Sequence, residues 1–250
     1  MLDLELEGKV AIVTGATRGL GRASALSLAA QGVRVLGAGR TEESLRSLED
    51  ESGGMVTGTA CDMRDSLQVG GLVDLAMERL GRLDIVVNNA GIAPAGRFDE
   101  VDDSVWREVF EVNVFAPVTL TRAAGRVMLE NGAGKVINVA STSGILGKPT
   151  LAAYSASKGA LLQFTKAVAG EWARAGVQVN AIAPGAYETQ AQSVVLESEE
   201  ILKRRLRKIP AGRMGLPQEF GPLVCLLASP LSDFMSGSVV VADGAESSTL

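Results

Sequence analysis

Short apolar runs recur along the chain and alternate with longer segments of mixed character. Most runs are rich in Val, Ile, Leu and Ala, as expected of parallel strands that are buried on both faces. They predict seven strands, over residues 9–14, 33–38, 55–60, 83–87, 135–140, 177–183 and 238–241.

The segments between these runs are predicted to be helical. The helices are expected over residues 20–31, 42–51, 66–80, 104–130, 152–175 and 217–228, with one or two polar helices over 190–209. Alternating strands and helices indicate right-handed βαβ units and a parallel sheet that helices cover on both faces. Because no low-complexity linker interrupts the alternation, the sequence predicts a single α/β domain over residues 1–250.

A glycine-rich turn joins the first strand to the first helix. Residues 14–21 read Thr-Gly-Ala-Thr-Arg-Gly-Leu-Gly, which gives a Gly-x-x-x-Gly-x-Gly spacing. Glycines allow a sharp turn and bring backbone N–H groups close to a pyrophosphate, whose charge the helix N-terminus stabilises. A plain turn is the alternative interpretation. The position directly after the first apolar strand favours a dinucleotide site.

The end of the second strand bears on which dinucleotide is bound. An acidic side chain there would bind the adenosine ribose 2′-OH and repel a 2′-phosphate. The second strand instead leads to Arg40, and Arg18 lies in the glycine-rich turn. Both guanidinium groups can form charge-assisted bonds to a 2′-phosphate, although two solvated loop arginines are the alternative. We therefore expect NADP(H), with NAD(H) as the second choice.

The amino-acid composition excludes several classes of catalytic and binding site. Histidine is absent, which excludes Ser-His-Asp catalysis and histidine metal ligands, and no metal site is expected. Cys61 and Cys225 lie in apolar runs and are interpreted as buried thiols. The formal net charge of -5 disfavours nucleic acid as a partner.

The same chain shows no sign of a membrane partner. No uncharged apolar run reaches the roughly 18 residues of a membrane span. The acidic N-terminal stretch lacks the basic and apolar regions of a signal peptide, so a cytoplasmic location is expected.

Residues 141–158 carry the strongest candidate chemistry. Ser141 follows the fifth strand, and Tyr154 and Lys158 lie four apart in a helical stretch, where they share a face. A phenol has a pKa of about 10, and a fixed cation nearby lowers it. A decrease of roughly two to three units takes about 3–4 kcal/mol, which the lysine and a cationic cofactor ring can supply together. A chance Tyr-x-x-x-Lys pair is the alternative.

The ordered set of motifs resembles the short-chain dehydrogenase/reductase family, over residues 8–244. The motifs are the glycine-rich turn, Asp62 after the third strand, Asn88-Asn89-Ala90-Gly91 after the fourth, Asn113, Ser141, Tyr154 with Lys158, Pro184-Gly185, and Thr189. The resemblance implies a Rossmann-like, doubly wound parallel sheet in the order 3-2-1-4-5-6-7. One departure is Ala245, where the family often has a second glycine after Asp243.

The resemblance also implies roles for the candidate catalytic residues. Tyr154 is expected to exchange a proton with the substrate oxygen, and Lys158 to lower the phenol pKa and hold the nicotinamide ribose. Ser141 is expected to hydrogen-bond the substrate oxygen. Asn113 is expected to hold a water that links Lys158 to solvent. The alternatives are a solvent-facing polar residue for Asn113 and a turn hydroxyl for Ser141.

Cofactor contacts follow from the same resemblance. We expect Gly15, Thr17, Arg18, Gly19, Leu20 and Gly21 along the phosphates, Arg40 at the 2′-phosphate, Asp62 and Met63 at the adenine, Asn89 at the adenosine-side ribose, Tyr154 and Lys158 beside the nicotinamide ribose, and Tyr187 and Thr189 at the nicotinamide amide.

The substrate is less determined. Residues 190–215 correspond to the family's mobile lid, and their basic stretch 203–208 either meets an anionic substrate or carrier or is a solvated helix face. Apolar pocket walls are expected from Ile92, Pro94, Ile145, Leu146 and Tyr187. Residues 209–219 are similar to 3-oxoacyl-acyl-carrier-protein reductases.

The sequence thus predicts an NADP(H)-dependent oxidoreductase that reduces a ketone, with a 3-oxoacyl thioester as one candidate. The alternatives are an alcohol, sugar or cyclic-diol dehydrogenase working in the oxidative direction and a non-catalytic NADP(H)-binding protein. The partner is a small carbonyl or alcohol substrate. The helices over 104–130 and 152–175 are those the family uses in homotetramers, so a homotetramer or homodimer is expected.

Overall fold

A seven-stranded parallel sheet organises residues 3–248, which are the residues that the computed structural model describes. The expected domain's first two and last two residues lie outside this range. The strands are β1 Val10–Thr14, β2 Arg34–Gly39, β3 Val56–Ala60, β4 Ile85–Asn88, β5 Gly134–Val139, β6 Val177–Pro184 and β7 Val239–Ala242. Their order is β3-β2-β1-β4-β5-β6-β7, and every neighbouring pair is parallel. The predicted fold class and strand order are confirmed.

Helices cover both faces of this sheet. They are α1 Gly19–Ala30, α2 Glu42–Glu51, α3 Ser66–Leu80, α4 Asp103–Phe110, α5 Ala116–Asn131, α6 Ala152–Trp172, α7 Ser193–Leu196, α8 Glu199–Leu206 and α9 Pro217–Ala228. Capping residues fix the ends of some of these helices. Asp65 caps α3 by accepting from the N–H groups of Leu67 and Gln68, and Gly81 ends that helix at a φ of 79°.

Two hydrophobic clusters form because successive strand residues point to opposite faces. In β1, Val13 packs with Leu28 of α1 and Phe220 of α9, whereas Ile12 packs with residues of α3 and α5 such as Leu72 and Leu120. Cys61 and Cys225 are both free and buried, as predicted, and burial raises the pKa of each thiol to about 11.

The prediction of one long helix over residues 104–130 is wrong in one respect. A π-helical segment, Glu111–Phe115, separates α4 from α5, and the Ala116 N–H donates to the Glu111 carbonyl. Pro117 is the physical reason, because its ring has no N–H and crowds the carbonyl four residues earlier, which is that of Asn113. The helix therefore widens at Asn113, which is a candidate catalytic residue.

Residues 190–209, which were predicted to form one or two polar helices, are divided into more elements than expected. A 3-10 turn, Gln190–Gln192, precedes the short α7, and α8 follows, with Ser198 accepting from the Ile201 N–H at its start. Across residues 3–248, no helix is both long and apolar enough for a bilayer crossing.

Candidate active site

The glycine-rich turn lies at the carboxyl end of β1 and is fixed to the turn after β4. Gly15 and Gly19 adopt left-handed φ values of 62° and 54°, which favour glycine. Asn89 Nδ2 donates to the carbonyls of Thr14 at 2.9 Å and Gly15 at 3.2 Å. A Cβ on Gly21 would lie 2.2 Å from the Gly15 carbonyl oxygen. Only glycines allow this close backbone approach, so the turn offers an open cradle that fits a dinucleotide pyrophosphate.

Thr14 is a site residue that the sequence analysis missed. Its Oγ1 accepts from the N–H groups of Asn89 at 3.0 Å and Ala90 at 3.1 Å. The two turns that border the crevice are thereby joined at one hydroxyl. A threonine as the last residue of the first strand, directly before the glycines, was the available signal. Asn89 was expected at a ribose, but its amide nitrogen is engaged within the turn; contact of its oxygen with a ribose stays a prediction.

Arg18 lies directly before α1, and Arg40 lies directly after β2. Both side chains are exposed. Within residues 3–248, neither guanidinium group forms an ion pair or a side-chain hydrogen bond. In contrast, Arg22 is engaged, because it donates to the Thr17 carbonyl at 3.3 Å and to Ser47 of α2. Arg18 and Arg40 therefore keep their donors available to an anionic group.

Asp62 and Met63 follow β3, where adenine contacts were expected. Arg64 Nη2 lies 2.6 Å from Asp62 Oδ2, and hydrogen bonds from Arg64, assisted by the charge of Arg40, lower the Asp62 pKa to about 2. Arg64 was not recognised from the sequence. Met63 lines a narrow recess together with Thr14 and Asn88.

Ser141 and Tyr154 meet at the carboxyl end of β5. Ser141 Oγ accepts from the Ser143 N–H at 3.0 Å, and the Ser141 side chain is near enough to the Tyr154 phenol to lower its pKa. Gly144 lets the intervening loop lie against α6, because a Cβ there would be 2.6 Å from the Lys158 carbonyl carbon. The serine and tyrosine predicted as a catalytic pair are thus brought together.

Lys158 is almost completely buried, at 3% exposure. Its Nζ donates to the Val139 carbonyl at 2.7 Å and lies 5.8 Å from the centroid of the Tyr154 ring. Burial lowers the Lys158 pKa to about 8. The pair therefore shares one compartment, as predicted.

In the chain without a cofactor the Tyr154 pKa is raised, and the lowering expected from Lys158 together with the cofactor ring stays a prediction. Burial raises the Tyr154 pKa, and the Ser141 side chain only partly opposes this. The Lys158 ammonium lies over the ring and is satisfied by the Val139 carbonyl, so it does not offset the loss of hydration around the phenol.

Asn113 is fully buried at 0% exposure, which excludes a solvent-facing side chain. Its Nδ2 donates to the Ile92 carbonyl at 2.9 Å and to Ser157 Oγ at 3.0 Å, and its Oδ1 accepts from the Ile92 N–H at 2.9 Å. A Cβ on Gly91 would lie 3.2 Å from Asn113 Oδ1 and 3.4 Å from Lys158 Nζ. Asn113 therefore borders the Lys158 compartment, and its water relay stays a prediction. Ser157 was missed because a serine before the lysine carries no distinctive pattern.

Thr189 and Tyr187 follow β6 and have different surroundings. A Cβ on Gly19 would lie 3.4 Å from Thr189 Cβ, so the glycine-rich turn and Thr189 face each other across the crevice. The Tyr187 ring packs edge-on against Phe220, with centroids 5.7 Å apart, and belongs to the core. The expectation that this ring also walls the substrate pocket stays a prediction. Its backbone N–H has no protein partner within residues 3–248 and remains available to a nicotinamide amide.

Residues 190–215 pack over a small apolar cluster of their own. Ile209 and Met214 are buried with Ala186, and Leu202 and Leu206 pack against them. Arg205 of α8 forms a bidentate ion pair with Glu246, in which the Nη2–Oε2 distance is 2.6 Å. Movement of this segment as a lid stays a prediction.

Metal chemistry has no visible support in the described chain. No three His, Cys, Asp or Glu side chains of residues 3–248 cluster as metal ligands. The sheet order, the glycine cradle at β1, and the Ser141, Tyr154 and Lys158 compartment together define a dinucleotide-dependent oxidoreductase.

The chain belongs to the short-chain dehydrogenase/reductase family, whose members use NAD(P) and act on CH–OH groups. A family model described as enoyl-(acyl carrier protein) reductase matches residues 15–245. The chain is 37% identical to the 2-dehydro-3-deoxy-D-gluconate 5-dehydrogenase of Bacillus subtilis, over 96% of this chain and 94% of that protein. It is 33% identical to the 3-oxoacyl-[acyl-carrier-protein] reductase of Salmonella typhimurium, over 96% and 98%.

A solved structure extends this likeness to a cofactor complex. The gluconate 5-dehydrogenase of Burkholderia cenocepacia, in complex with NADP and tartrate, superposes with a TM-score of 0.93 at 33% identity. The match covers 99% of this chain and 98% of that chain.

Proposed function

We propose that this protein is an NADP(H)-dependent oxidoreductase that interconverts a ketone and a secondary alcohol, with ketone reduction as its main direction. One observation carries the proposal. The Ser141 side chain acts on the Tyr154 phenol and lowers its pKa, and the buried Lys158 ammonium lies 5.8 Å from the Tyr154 ring centroid. A protein that only bound a dinucleotide would need no proton donor in this position.

Each residue has a separate task in this reaction. Ser141 holds the substrate oxygen by a hydrogen bond, and Tyr154 gives that oxygen its proton during reduction or removes it during oxidation. Lys158 keeps a positive charge beside the phenol. When bound, the nicotinamide supplies or accepts the hydride. Gly91 leaves room for Lys158 Nζ and Asn113 Oδ1, because a Cβ there would lie 3.4 Å from the first and 3.2 Å from the second.

The preference for NADP(H) is supported by the end of β2. The residue directly after that strand is Arg40 and not an acid, and neither Arg18 nor Arg40 forms an ion pair among residues 3–248. A 2′-phosphate would provide an anionic partner. The NADP bound to the related gluconate 5-dehydrogenase of Burkholderia cenocepacia supports the same choice.

The substrate has two candidate classes. The resemblance to the Salmonella typhimurium reductase supports a 3-oxoacyl thioester, reduced with NADPH. The second candidate is a sugar-acid dehydrogenase working in the oxidative direction, which the Bacillus subtilis and Burkholderia cenocepacia relatives favour.

A paired assay tests the proposal. Oxidation of NADPH is followed with neutral ketones, oxo acids and acetoacetyl-coenzyme A, and reduction of NADP⁺ with the matching alcohols. Wild type is compared with Tyr154→Phe, which keeps the ring and removes the proton. We expect turnover by wild type and a loss of at least about 100-fold in kcat for the variant. Tight NADPH binding without turnover of any compound would instead identify a non-catalytic binding protein.

We further propose that the protein assembles as a homotetramer or homodimer through α4, α5 and α6. Phe115, between α4 and α5, is 52% exposed and offers an apolar contact. In contrast, Val112 of the π-helical segment and Leu161 of α6 are buried in the chain's own interior. Light scattering of wild type and of Phe115→Glu tests this, with a smaller particle expected for the variant.

A further inference from the structure

The carboxyl ends of β2 and β3 place a cation and an acid next to each other. Gly39 of β2 lies opposite Ala60 of β3 in the parallel register, and the Cys61 N–H donates to the Gly39 carbonyl at 2.8 Å. Arg40 directly follows Gly39, and Asp62 directly follows Cys61. Arg40 and Asp62 are therefore neighbours on two adjacent strand ends, at the edge of the sheet where a 2′-phosphate is expected.

The Asp62 carboxylate is nevertheless occupied by a different arginine. Arg64 Nε lies 3.0 Å from Asp62 Oδ1 and 3.1 Å from Oδ2, and Arg64 Nη2 lies 2.6 Å from Oδ2. The Arg64 backbone N–H also donates to Oδ1, at 3.0 Å. A carboxylate offers about four acceptor positions, so these four contacts use them up. Arg40 is thereby left without an ion pair among residues 3–248.

Both members of the Arg64–Asp62 pair are anchored to neighbouring helices. Arg64 Nη1 lies 3.5 Å from Glu108 Oε1 of α4. The Asp62 N–H donates to Gln68 Oε1 of α3 at 3.1 Å, and the Asp62 carbonyl accepts from the Asp65 N–H at 3.0 Å. The guanidinium group and the carboxylate are therefore held in register with each other from both sides.

Removal of the Arg64 side chain would change the charge that a cofactor meets. Asp62 would then be an unpaired carboxylate beside Arg40. It would attract the Arg40 guanidinium and would repel a 2′-phosphate at the same place. Neither effect acts on a ribose that carries a neutral 2′-hydroxyl. The side chain of Arg64 therefore matters for one of the two dinucleotides and not for the other.

We propose that Arg64 is a positioning residue for cofactor choice, which holds Asp62 and so leaves Arg40 free for the 2′-phosphate of NADP(H). The inference rests on the preference for NADP(H) in the proposed function and adds the residue that maintains it. Arg64 acts through Asp62, and no contact between Arg64 and the cofactor is required.

Fragments of the cofactor test this at the adenosine end, without any turnover. Calorimetry compares adenosine 2′,5′-bisphosphate with 5′-AMP on the full chain, and wild type should bind the bisphosphate more tightly. Arg64→Met should weaken bisphosphate binding by about 10-fold and change 5′-AMP binding by less than about two-fold. Arg64→Lys should retain part of the preference, because an ammonium group still pairs with Asp62 but not through a planar fork.

A second substitution shows whether Arg64 acts through Asp62. In the Arg64→Met background, Asp62→Asn should restore bisphosphate affinity to within about three-fold of wild type, because an amide carries no charge to attract Arg40 or repel phosphate. A double variant that stays as weak as Arg64→Met would show that Arg64 contacts the phosphate itself, which would overturn the inference.

Arg82→Met is the matched control. Arg82 and Asp84 are also two residues apart and also form a 2.6 Å contact, and the exposure of Arg82, at 52%, is close to the 54% of Arg64. This pair lies at the amino end of β4, on the opposite edge of the sheet from Arg40. The control should change the affinity for neither fragment.

The outcomes separate this inference from the proposed function. Equal losses of both fragments in Arg64→Met would show a merely structural role and overturn the inference, as would a wild-type preference that this variant retains in full. Those results leave the preference for NADP(H) in place. A wild type that binds both fragments equally would overturn that preference and the inference with it.

Discussion

Asn113 Nδ2 donates a hydrogen bond to Ser157 Oγ over 3.0 Å, which joins the π-helical segment to the catalytic helix. Ser157 Oγ in turn donates to the Tyr154 carbonyl at 2.7 Å. Both side chains are fully buried. The Ser157 hydroxyl therefore links the Asn113 amide, which the Ile92 backbone also holds, to the helix that carries Tyr154 and Lys158.

Ser157→Ala should weaken both stability and catalysis. One Asn113 N–H loses its partner in a buried place, which costs about 1–3 kcal/mol of unfolding free energy. We also expect kcat to fall with little change in KM for the cofactor. Urea unfolding and steady-state kinetics measure the two effects. Ser143→Ala is the control, because only the backbone N–H of Ser143 has a described role, and it should cost less than about 0.5 kcal/mol. Equal losses for the two variants would contradict this role for Ser157.

Lys158 should make the stability of the cofactor-free protein rise at alkaline pH. Its pKa is about 8 in the folded chain and 10.5 in an unfolded one. Between these values the unfolded state binds more protons, so the unfolding free energy increases with pH. The increase is at most about 3 kcal/mol. Lys158→Met should lose this rise, which urea unfolding from pH 7 to pH 10.5 will show. Parallel curves for both proteins would contradict the low pKa.

The two tyrosines of the chain should titrate late in the absence of cofactor. Burial raises the pKa of Tyr154 and of Tyr187 above the ordinary value of 10. Ultraviolet absorbance of tyrosinate measures this, and Tyr154→Phe assigns the two transitions. Saturation with NADP⁺ should move only the Tyr154 transition to lower pH, because the oxidised ring adds positive charge. A Tyr154 transition below 10 before cofactor is added would show that burial does not dominate.

Arg40→Asp should reverse the cofactor preference. The variant removes a donor for a 2′-phosphate and adds a charge that repels it, while a carboxylate can bind a ribose 2′-OH. We expect kcat/KM for NADPH to fall by about 10- to 100-fold and that for NADH to change little. Arg46→Asp, at another exposed arginine that pairs with Glu42, is the control. Equal losses with both cofactors would remove the 2′-phosphate argument.

Gly144→Ala should displace Ser141. The new Cβ would lie 2.6 Å from the Lys158 carbonyl carbon and 2.8 Å from the Gly159 nitrogen, so the loop has to move away from α6. We expect a loss of roughly 1–3 kcal/mol in unfolding free energy and a lower kcat. Gly147→Ala lies in the same loop with open space around it and should leave both unchanged. Thermal unfolding and kinetics compare the two alanines.

The sheet could be predicted because parallel strands buried on both faces have a strong sequence signal. Residues 42–51 and 66–80 were also predicted with the observed helix bounds, and Gly81 marked the end of the second of these helices. The proximity of Ser141, Tyr154 and Lys158 followed from motif order and helical spacing. The strands, the helix bounds and the Tyr154–Lys158 spacing use local sequence, whereas the strand order and the role of Ser141 came from the family resemblance.

The remaining features depend on tertiary surroundings. The π-helical segment could have been suspected from Pro117, but its location at Asn113 required the packed helix. The Tyr187 ring turns into the core because Phe220 and Gly215 leave space for it there, which no local pattern records. The Tyr154 pKa is governed by burial, and the spacing of two residues on a helix says nothing about water around the phenol.

The shared hydroxyl of Thr14 and the amide of Asn89 hold the glycine cradle in place before any dinucleotide arrives. A dinucleotide that binds here then has to order little of the backbone at this end of the molecule. The turn is therefore preformed in the apoprotein, and we expect discrimination among dinucleotides to depend on the exposed Arg18 and Arg40 beside it.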